Sequence, residues 1–190
     1  MSLAFRDVAC VRDGRMLFSG VSFDLRSGDA AIVTGPNGVG KSSLIRIAAS
    51  LLAPFEGSVT CDTAQALLTE ASALDPDRTL IAALRFWGAL DDAPVPDTRI
   101  ARALSALDLD ALADIPVRLL STGQRRRASI ARVAASGAPV WLLDEPANGL
   151  DTVSIARLET LIAEHRATGG AALVATHLPL AIPGAREIVL

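Results

Sequence analysis

Residues 30–42 read AAIVTGPNGVGKS, a short apolar run followed by a glycine-rich loop that ends in Lys-Ser. Residues 35–42 fit the pattern G-x-x-x-x-G-K-[ST], and the residues after Ser42 have the apolar spacing of an amphipathic helix. In such a strand–loop–helix unit, glycines let successive backbone N–H groups point at phosphate oxygens beside the positive end of the helix. Lys41 is the only lysine of the chain, so we expect an ammonium group to be needed there. The pattern predicts a nucleoside triphosphate site; the alternative is a glycine-rich loop that binds nothing.

The residues of this loop have separate expected roles. Lys41 is expected to reach the β- and γ-phosphates of the nucleotide, and the Ser42 hydroxyl is expected to ligate Mg²⁺. The predicted nucleotide-binding residues of the loop are Gly35, Pro36, Asn37, Gly38, Val39, Gly40, Lys41, Ser42 and Ser43.

A second candidate site lies at residues 140–145, VWLLDE, where an apolar strand ends in two carboxylates. Two acids at the end of a buried strand are costly to place there without a cation. Asp144 is therefore expected to hold Mg²⁺ through water, and Glu145 to orient and polarise the attacking water. Read alone, the segment also fits a helix N-terminus with ordinary capping acids.

Composition limits the classes of protein that fit. The 190 residues are enough for one compact α/β domain and hardly for two. A net charge of −3 argues against a nucleic-acid surface. The longest stretch without charged residues, 167–185, is interrupted by glycine and proline, so we expect no transmembrane helix, and the first residues do not resemble a signal peptide. Cys10 and Cys61 are interpreted as reduced core residues of a cytoplasmic protein.

Hydrophobic periodicity predicts strands that alternate with helices, and hence an α/β fold with a mainly parallel sheet. The predicted strands are 2–9, 21–25, 30–33, a poorly patterned stretch within 57–69 that leads to Glu70, 140–143, 171–175 and 187–190. The predicted helices are one from about Ser42 to Pro54, two or three within 79–120 that the loop 91–97 interrupts, one at 121–135 and one at 152–166. Residues of about 79–135 are expected to form an inserted helical lobe.

The segment LSTGQ at residues 120–124, followed by three arginines, is the most informative one. Alone it fits a helix N-cap and first turn, with the arginines on a solvated face. Together with the phosphate loop and the Asp-Glu strand, in this order, it resembles the signature motif of the ATP-binding cassette ATPases. The resemblance implies a P-loop NTPase fold with helices on both sheet faces and a small antiparallel N-terminal β subdomain. It also implies that the signature completes the ATP site of a second copy through Leu120, Ser121, Thr122, Gly123 and Gln124.

Other positions follow from the same resemblance. Asp151 of the segment NGLD matches the D-loop, and His177 matches the switch histidine that contacts the γ-phosphate, although a lone histidine after a strand is more often structural. Glu70 stands where the family has a Mg²⁺-contacting glutamine. Arg12 takes the place of the aromatic residue that stacks on adenine, and a guanidinium plane can also stack on a base.

Four segments narrow the resemblance to the ATP-binding subunits of bacterial cytochrome c maturation haem exporters, namely residues 10–23, 114–127, 141–146 and 175–180. It implies that residues 1–190 form a single nucleotide-binding domain that homodimerises around two ATP molecules. Integral-membrane subunits would dock near residues 79–120 and Glu70, at the cytoplasmic face of the bacterial inner membrane, and a haem chaperone is a further implied partner. Two alternatives remain open: a soluble cassette ATPase, such as one for iron–sulfur cluster assembly, and a P-loop kinase for small molecules.

Overall fold

The computed structural model describes residues 2–90 and 96–190 and has the predicted α/β architecture. Its strands are β1 (Ser2–Arg12), β2 (Arg15–Arg26), β3 (Ala30–Thr34), β4 (Glu56–Cys61), β5 (Gln65–Leu68), β6 (Val140–Asp144), β7 (Ala171–Ala175) and β8 (Arg186–Val189). Its helices are α1 (Lys41–Ala48), α2 (Leu80–Gly88), α3 (Asp97–Ala106), α4 (Thr122–Ser136) and α5 (Thr152–Ala167).

A five-stranded parallel sheet, in the order β5-β6-β7-β3-β8, forms the centre of the molecule. Both of its faces are buried: Val140 and Leu142 pack into one core cluster, whereas Trp141 and Leu143 pack into the other. Burial on both faces explains why β6 is continuously apolar until Asp144. Because the strands are parallel, the segments that follow β3, β6 and β7 meet at one edge of the sheet.

The antiparallel sheet has the order β2-β1-β4 and packs with α1 against one face of the parallel sheet. Phe5 and Phe23 stack across β1 and β2 with ring centroids 4.4 Å apart. The prediction of one strand within 57–69 was wrong, since β4 joins the antiparallel sheet and β5 joins the parallel one. Cys10 is buried and Cys61 is only half-buried, so the second cysteine is not the core residue that was expected.

The helix after the phosphate loop is shorter than predicted. It ends at Ala48 and not at Pro54, in a turn where Leu51 N–H donates to Arg46 O and Ser50 has a positive φ of 58°. This hydrogen-bond pattern is the Schellman motif, which closes a helix with a left-handed residue. Leu51, which continues the apolar spacing of the residues after Ser42, is 67% exposed.

The helical lobe contains α2, α3, two short 3₁₀ turns at 110–112 and 117–119, and α4. Thr79 caps α2 by accepting from Ala82 N–H. The loop predicted at 91–97 is shorter at its end, since Asp97 belongs to α3 and binds Arg85 through two hydrogen bonds; residues 91–95 lie outside the described residues. Within residues 2–90 and 96–190, no helix has both the length and the apolar character of a membrane span. The single-domain organisation over residues 1–190 stays a prediction.

Candidate functional site

The glycine-rich loop connects β3 to α1 in a conformation that glycine alone adopts easily. Gly35 and Gly40 have φ values of 139° and 115°. A Cβ at Gly35 would lie 2.8 Å from Leu190 O, and one at Gly40 would lie 2.8 Å from the Phe18 ring. The loop is therefore held between the end of the parallel sheet and the antiparallel sheet, and larger side chains at these two positions would force it away from both.

Lys41 begins α1 and arches back over the loop. Its side chain is 6% exposed, and Nζ donates to Gly35 O at 2.9 Å and to Pro36 O at 3.2 Å. The N-cap of α1 is Gly40, which supplies no side-chain cap. An uncapped helix N-terminus beside an ammonium group favours an anion, as the sequence predicts for the phosphates.

Asp144 ends β6 directly opposite the start of α1. Ser42 Oγ donates to its Oδ1 at 2.9 Å, and the Asp144 side chain is 6% exposed. Burial raises the pKa of Asp144, the Ser42 hydrogen bond lowers it, and the charge of Glu145 raises it further. A half-buried hydroxyl in contact with a buried carboxylate suits Mg²⁺, which binds through one or two protein oxygens together with phosphate and water. These two residues fit the predicted metal.

Glu145 lies between two other predicted residues, His177 and Lys41. Its Oε2 lies 2.8 Å from His177 Nδ1 and accepts from His177 N–H at 3.2 Å, while its Oε1 lies 4.0 Å from Lys41 Nζ. Nδ1 of His177 contacts the carboxylate, so Nε2 is the ring nitrogen that can bind another partner. The His177 ring is exposed. A carboxylate held in this way between a histidine and a lysine is well placed to accept a proton from water.

The LSTGQ segment forms the N-terminus of α4 as a complete capping box. Ser121 Oγ accepts from Gln124 N–H at 3.2 Å, and Gln124 Oε1 accepts from Ser121 N–H at 2.8 Å. Leu120 is buried, whereas Ser121 and Thr122 are exposed. A Cβ at Gly123 would lie 3.3 Å from Gly149 O. The segment thus presents a rigid, exposed helix N-terminus to solvent.

Three further predicted residues lie on other segments, and no described contact joins them to Lys41, Asp144 or Glu145. Asp151 caps α5 by accepting from Ser154 N–H at 2.7 Å, and hydrogen bonds from Ser154 lower its pKa. Arg12 is exposed at the end of β1. Burial raises the pKa of Cys10, and the nearby charge of Arg12 lowers it by less. Glu70 is exposed and lines a cleft of about 410 Å³ against α4 and the 148–149 turn.

One residue of this region was not predicted. Arg126, the middle arginine of the run after LSTGQ, is 8% exposed, so the interpretation of that run as a solvated face is wrong at this position. Burial lowers the pKa of Arg126, and the charges of Asp144, Glu70 and Glu145 raise it. Helical spacing contains the missed signal, because Arg126 precedes the buried Ile130 and Val133 by four and seven residues.

The family profile that matches this chain and the similar proteins agree with each other. The profile described as "ABC transporter" matches residues 18–148. The "Cytochrome c biogenesis ATP-binding export protein CcmA" of Sphingopyxis alaskensis is 53% identical, covering 99% of this chain and 96% of the relative. The protein of the same name from Novosphingobium aromaticivorans is 49% identical, covering 99% and 95%.

Solved structures have the same fold. An ABC transporter ATP-binding protein from Pyrococcus furiosus aligns with a TM-score of 0.88 at 21% identity, over 100% of this chain and 98% of that one. CbiO1 from Clostridium perfringens, described as part of the ABC transporter complex cbiONQ, aligns with a TM-score of 0.76 at 25% identity, over 93% and 78%.

Proposed function

Since this chain belongs to the ABC transporter family, we propose that it is the ATP-hydrolysing subunit of an exporter that serves cytochrome c biogenesis. The observation that carries the assignment is the 53% identity over 99% of the chain to a relative named for that role. The chain binds ATP, and the loop at residues 35–43 is the proposed phosphate site. Arg12 is proposed to lie against the adenine base.

Hydrolysis is proposed to proceed by in-line attack of water on the γ-phosphorus. Glu145 accepts the proton of that water, His177 Nε2 and Lys41 stabilise the γ-phosphate, and the contacts of Glu145 with both residues support this division of roles. Mg²⁺, held by Ser42 and by Asp144 through water, would neutralise charge on the β- and γ-phosphates. Glu70 is proposed as a further residue near the metal.

A second copy of the chain is proposed to complete each ATP site. The N-terminus of α4 is exposed at Ser121 and Thr122, and its capping box holds Ser121 and Gln124 in a fixed conformation. In a homodimer, Ser121 and Gly123 of one copy would contact the γ-phosphate bound by the other, with Asp151 close to the interface. ATP would then favour the closed dimer, and hydrolysis would release it.

Membrane subunits are the proposed partners in transport. CbiO1, a structural neighbour, is described as part of an ABC transporter complex, which supports a similar arrangement here. The helical lobe and Glu70 would receive these subunits at the cytoplasmic face of the bacterial inner membrane. Haem, or a haem-loaded chaperone, is the proposed object of the ATP-driven step.

The test is co-purification from solubilised membranes with the tagged Glu145→Gln chain, which is expected to bind ATP, remain dimeric and hardly hydrolyse. Mass spectrometry should identify a multi-span subunit that is retained with ATP, and absorbance should detect haem in the complex. Lys41→Met, which is expected to lose ATP binding, serves as the matched control. Recovery of soluble partners alone would overturn the export role, and near-normal turnover by Glu145→Gln would overturn its role as base.

A further inference from the structure

The backbone of Glu145 is in an unusual conformation. Its φ of 48° lies in the left-handed region, which residues with a Cβ rarely adopt. The next residue is Pro146, and a proline ring pushes the preceding residue towards extended conformations. Strained backbone of this kind persists only where surrounding contacts hold it in place. Contacts that fix the Glu145 backbone therefore also fix the direction of its carboxylate.

The Arg126 guanidinium supplies such contacts. Nη2 donates to Asp144 O at 2.9 Å and to Glu145 O at 2.6 Å, and Nε donates to Pro146 O at 3.2 Å. Three consecutive carbonyl groups around the strained residue thus accept from one side chain. Glu145 N–H, on the other side of the residue, donates to Ala175 O at 2.8 Å, directly before the segment of His177.

The fourth hydrogen bond of Arg126 reaches another segment. Nη1 donates to Thr69 O at 2.6 Å, and Thr69 directly precedes Glu70. Arg126 itself lies on α4, two residues after the LSTGQ segment. One rigid, planar group therefore joins the helix that bears the signature, the turn that bears the proposed base, and the segment of Glu70.

We propose that Arg126 is a positioning residue for ATP hydrolysis, which holds the backbone of Glu145 so that its carboxylate stays between His177 and Lys41. The inference rests on the proposed role of Glu145 as base. Arg126 acts through the carbonyl groups of residues 144–146 and through Thr69, and none of its described hydrogen bonds involves the phosphate loop. The group presents donors in a fixed fork, which the single ammonium of a lysine does not reproduce.

The first test is Arg126→Lys, which keeps the charge and loses the fork. We expect kcat to fall by roughly tenfold to a hundredfold, the size of effect expected when a reacting group is misplaced by about 1 Å. KM for ATP should stay within about twofold, because the phosphate loop is untouched. Arg127→Lys is the matched control: it lies on the same helix and donates to Leu107 O and Asp108 O within the helical lobe. This control should lose stability without losing kcat.

The second test combines Arg126→Lys with Glu145→Gln in single-turnover assays. If Arg126 acts through Glu145, the double variant hydrolyses ATP about as slowly as Glu145→Gln alone. An independent structural role would multiply the two losses and overturn the inference, as would an unchanged kcat in Arg126→Lys or equal kcat losses in Arg126→Lys and Arg127→Lys.

A third variant covers the case in which Arg126→Lys is unstable, and the result for Glu145→Gln alone separates the two proposals. Arg126→Gln, which retains an amide donor of neutral charge, replaces Arg126→Lys if the latter melts below the assay temperature, and the same kcat loss at constant KM is expected. Near-normal turnover by Glu145→Gln alone would refute the proposed catalytic role itself. Full loss in Glu145→Gln with normal turnover in the Arg126 variants would refute only the inference about Arg126.

Discussion

Gly123→Ala separates a role in the fold from a role between two copies of the chain. Gly123 lies in the first turn of α4, and its φ is not in the left-handed region, so alanine fits the backbone. Alanine gains up to about 1 kcal/mol over glycine within a helix. Its Cβ would lie 3.3 Å from Gly149 O, a contact that a shift of a few tenths of an ångström relieves. We therefore expect Tm to change by no more than about 2–4 °C.

ATP hydrolysis should respond very differently to this change. If the backbone at Gly123 approaches the γ-phosphate held by a second copy, an added methyl group displaces a donor to the transition state. Loss of one such donor typically costs on the order of 10²–10³ in rate. Phosphate release at saturating ATP, together with thermal unfolding of the same sample, measures both effects. Near-normal hydrolysis would refute the placement of Gly123 against ATP, and a large fall in Tm would show that the loss is structural.

Mixing two inactive chains tests the shared site directly. A dimer of one Gly123→Ala chain and one Lys41→Met chain has one site in which both the phosphate loop and the signature turn are intact. Random pairing into two-fold dimers makes half of the dimers mixed, so about a quarter of the wild-type activity should return if the sites work independently. A mixture as inactive as its components would contradict the composite site.

Three other changes test separate parts of the molecule. Glu70→Gln removes a negative charge proposed to lie near the metal and should alter the Mg²⁺ dependence of hydrolysis; an unchanged Mg²⁺ titration would place Glu70 away from the metal. Burial lowers the pKa of His165 in the folded protein. As the pH falls, the imidazole is therefore protonated in the unfolded chain first, and the free energy of unfolding should decrease below about pH 6.5. His165→Phe, which can keep the ring stacking on Trp141, should show a smaller fall in Tm between pH 8 and 5, and parallel curves would contradict this. Gly57→Ala places a Cβ 2.3 Å from two carbonyl oxygens at a φ of 77° and should cost at least about 2 kcal/mol in unfolding free energy. Gly14→Ala, at a φ of 75° with open space around it, isolates the backbone cost, and equal losses of Tm in the two variants would refute the clash.

The elements around the proposed phosphate site could be predicted because their patterns are local and strong. β7 has the predicted bounds, and β3, β6, α4 and α5 end within one residue or so of their predicted ends. Each is a continuous apolar strand buried on both faces or a helix with clear end signals. The proposed catalytic positions follow from these elements, because they lie after strands or at helix N-termini.

The features that were missed depend on contacts between distant residues. β4 is mostly exposed at the edge of its sheet, so its sequence lacks the alternation that indicates a strand, and only pairing with β1 defines it. The apolar residues after Ala48 continue the helical spacing, yet the left-handed Ser50 ends the helix first. Arg126 looks like one charge in a run of three. Helical spacing places it on the face of Ile130 and Val133, but the carbonyl groups that accept from it belong to the turn after β6 and to the distant Thr69 segment.

The single lysine gives this protein a built-in chemical reporter. Apart from the chain's own amino terminus, Lys41 offers the one primary amine, and its Nζ is covered by the carbonyl groups of Gly35 and Pro36. An amine-reactive reagent should therefore acylate the folded protein at this position slowly and the unfolded protein quickly. Bound nucleotide should slow the reaction further, so the extent of acylation, read by mass, would report occupancy of the phosphate loop in an intact membrane complex without any engineered label.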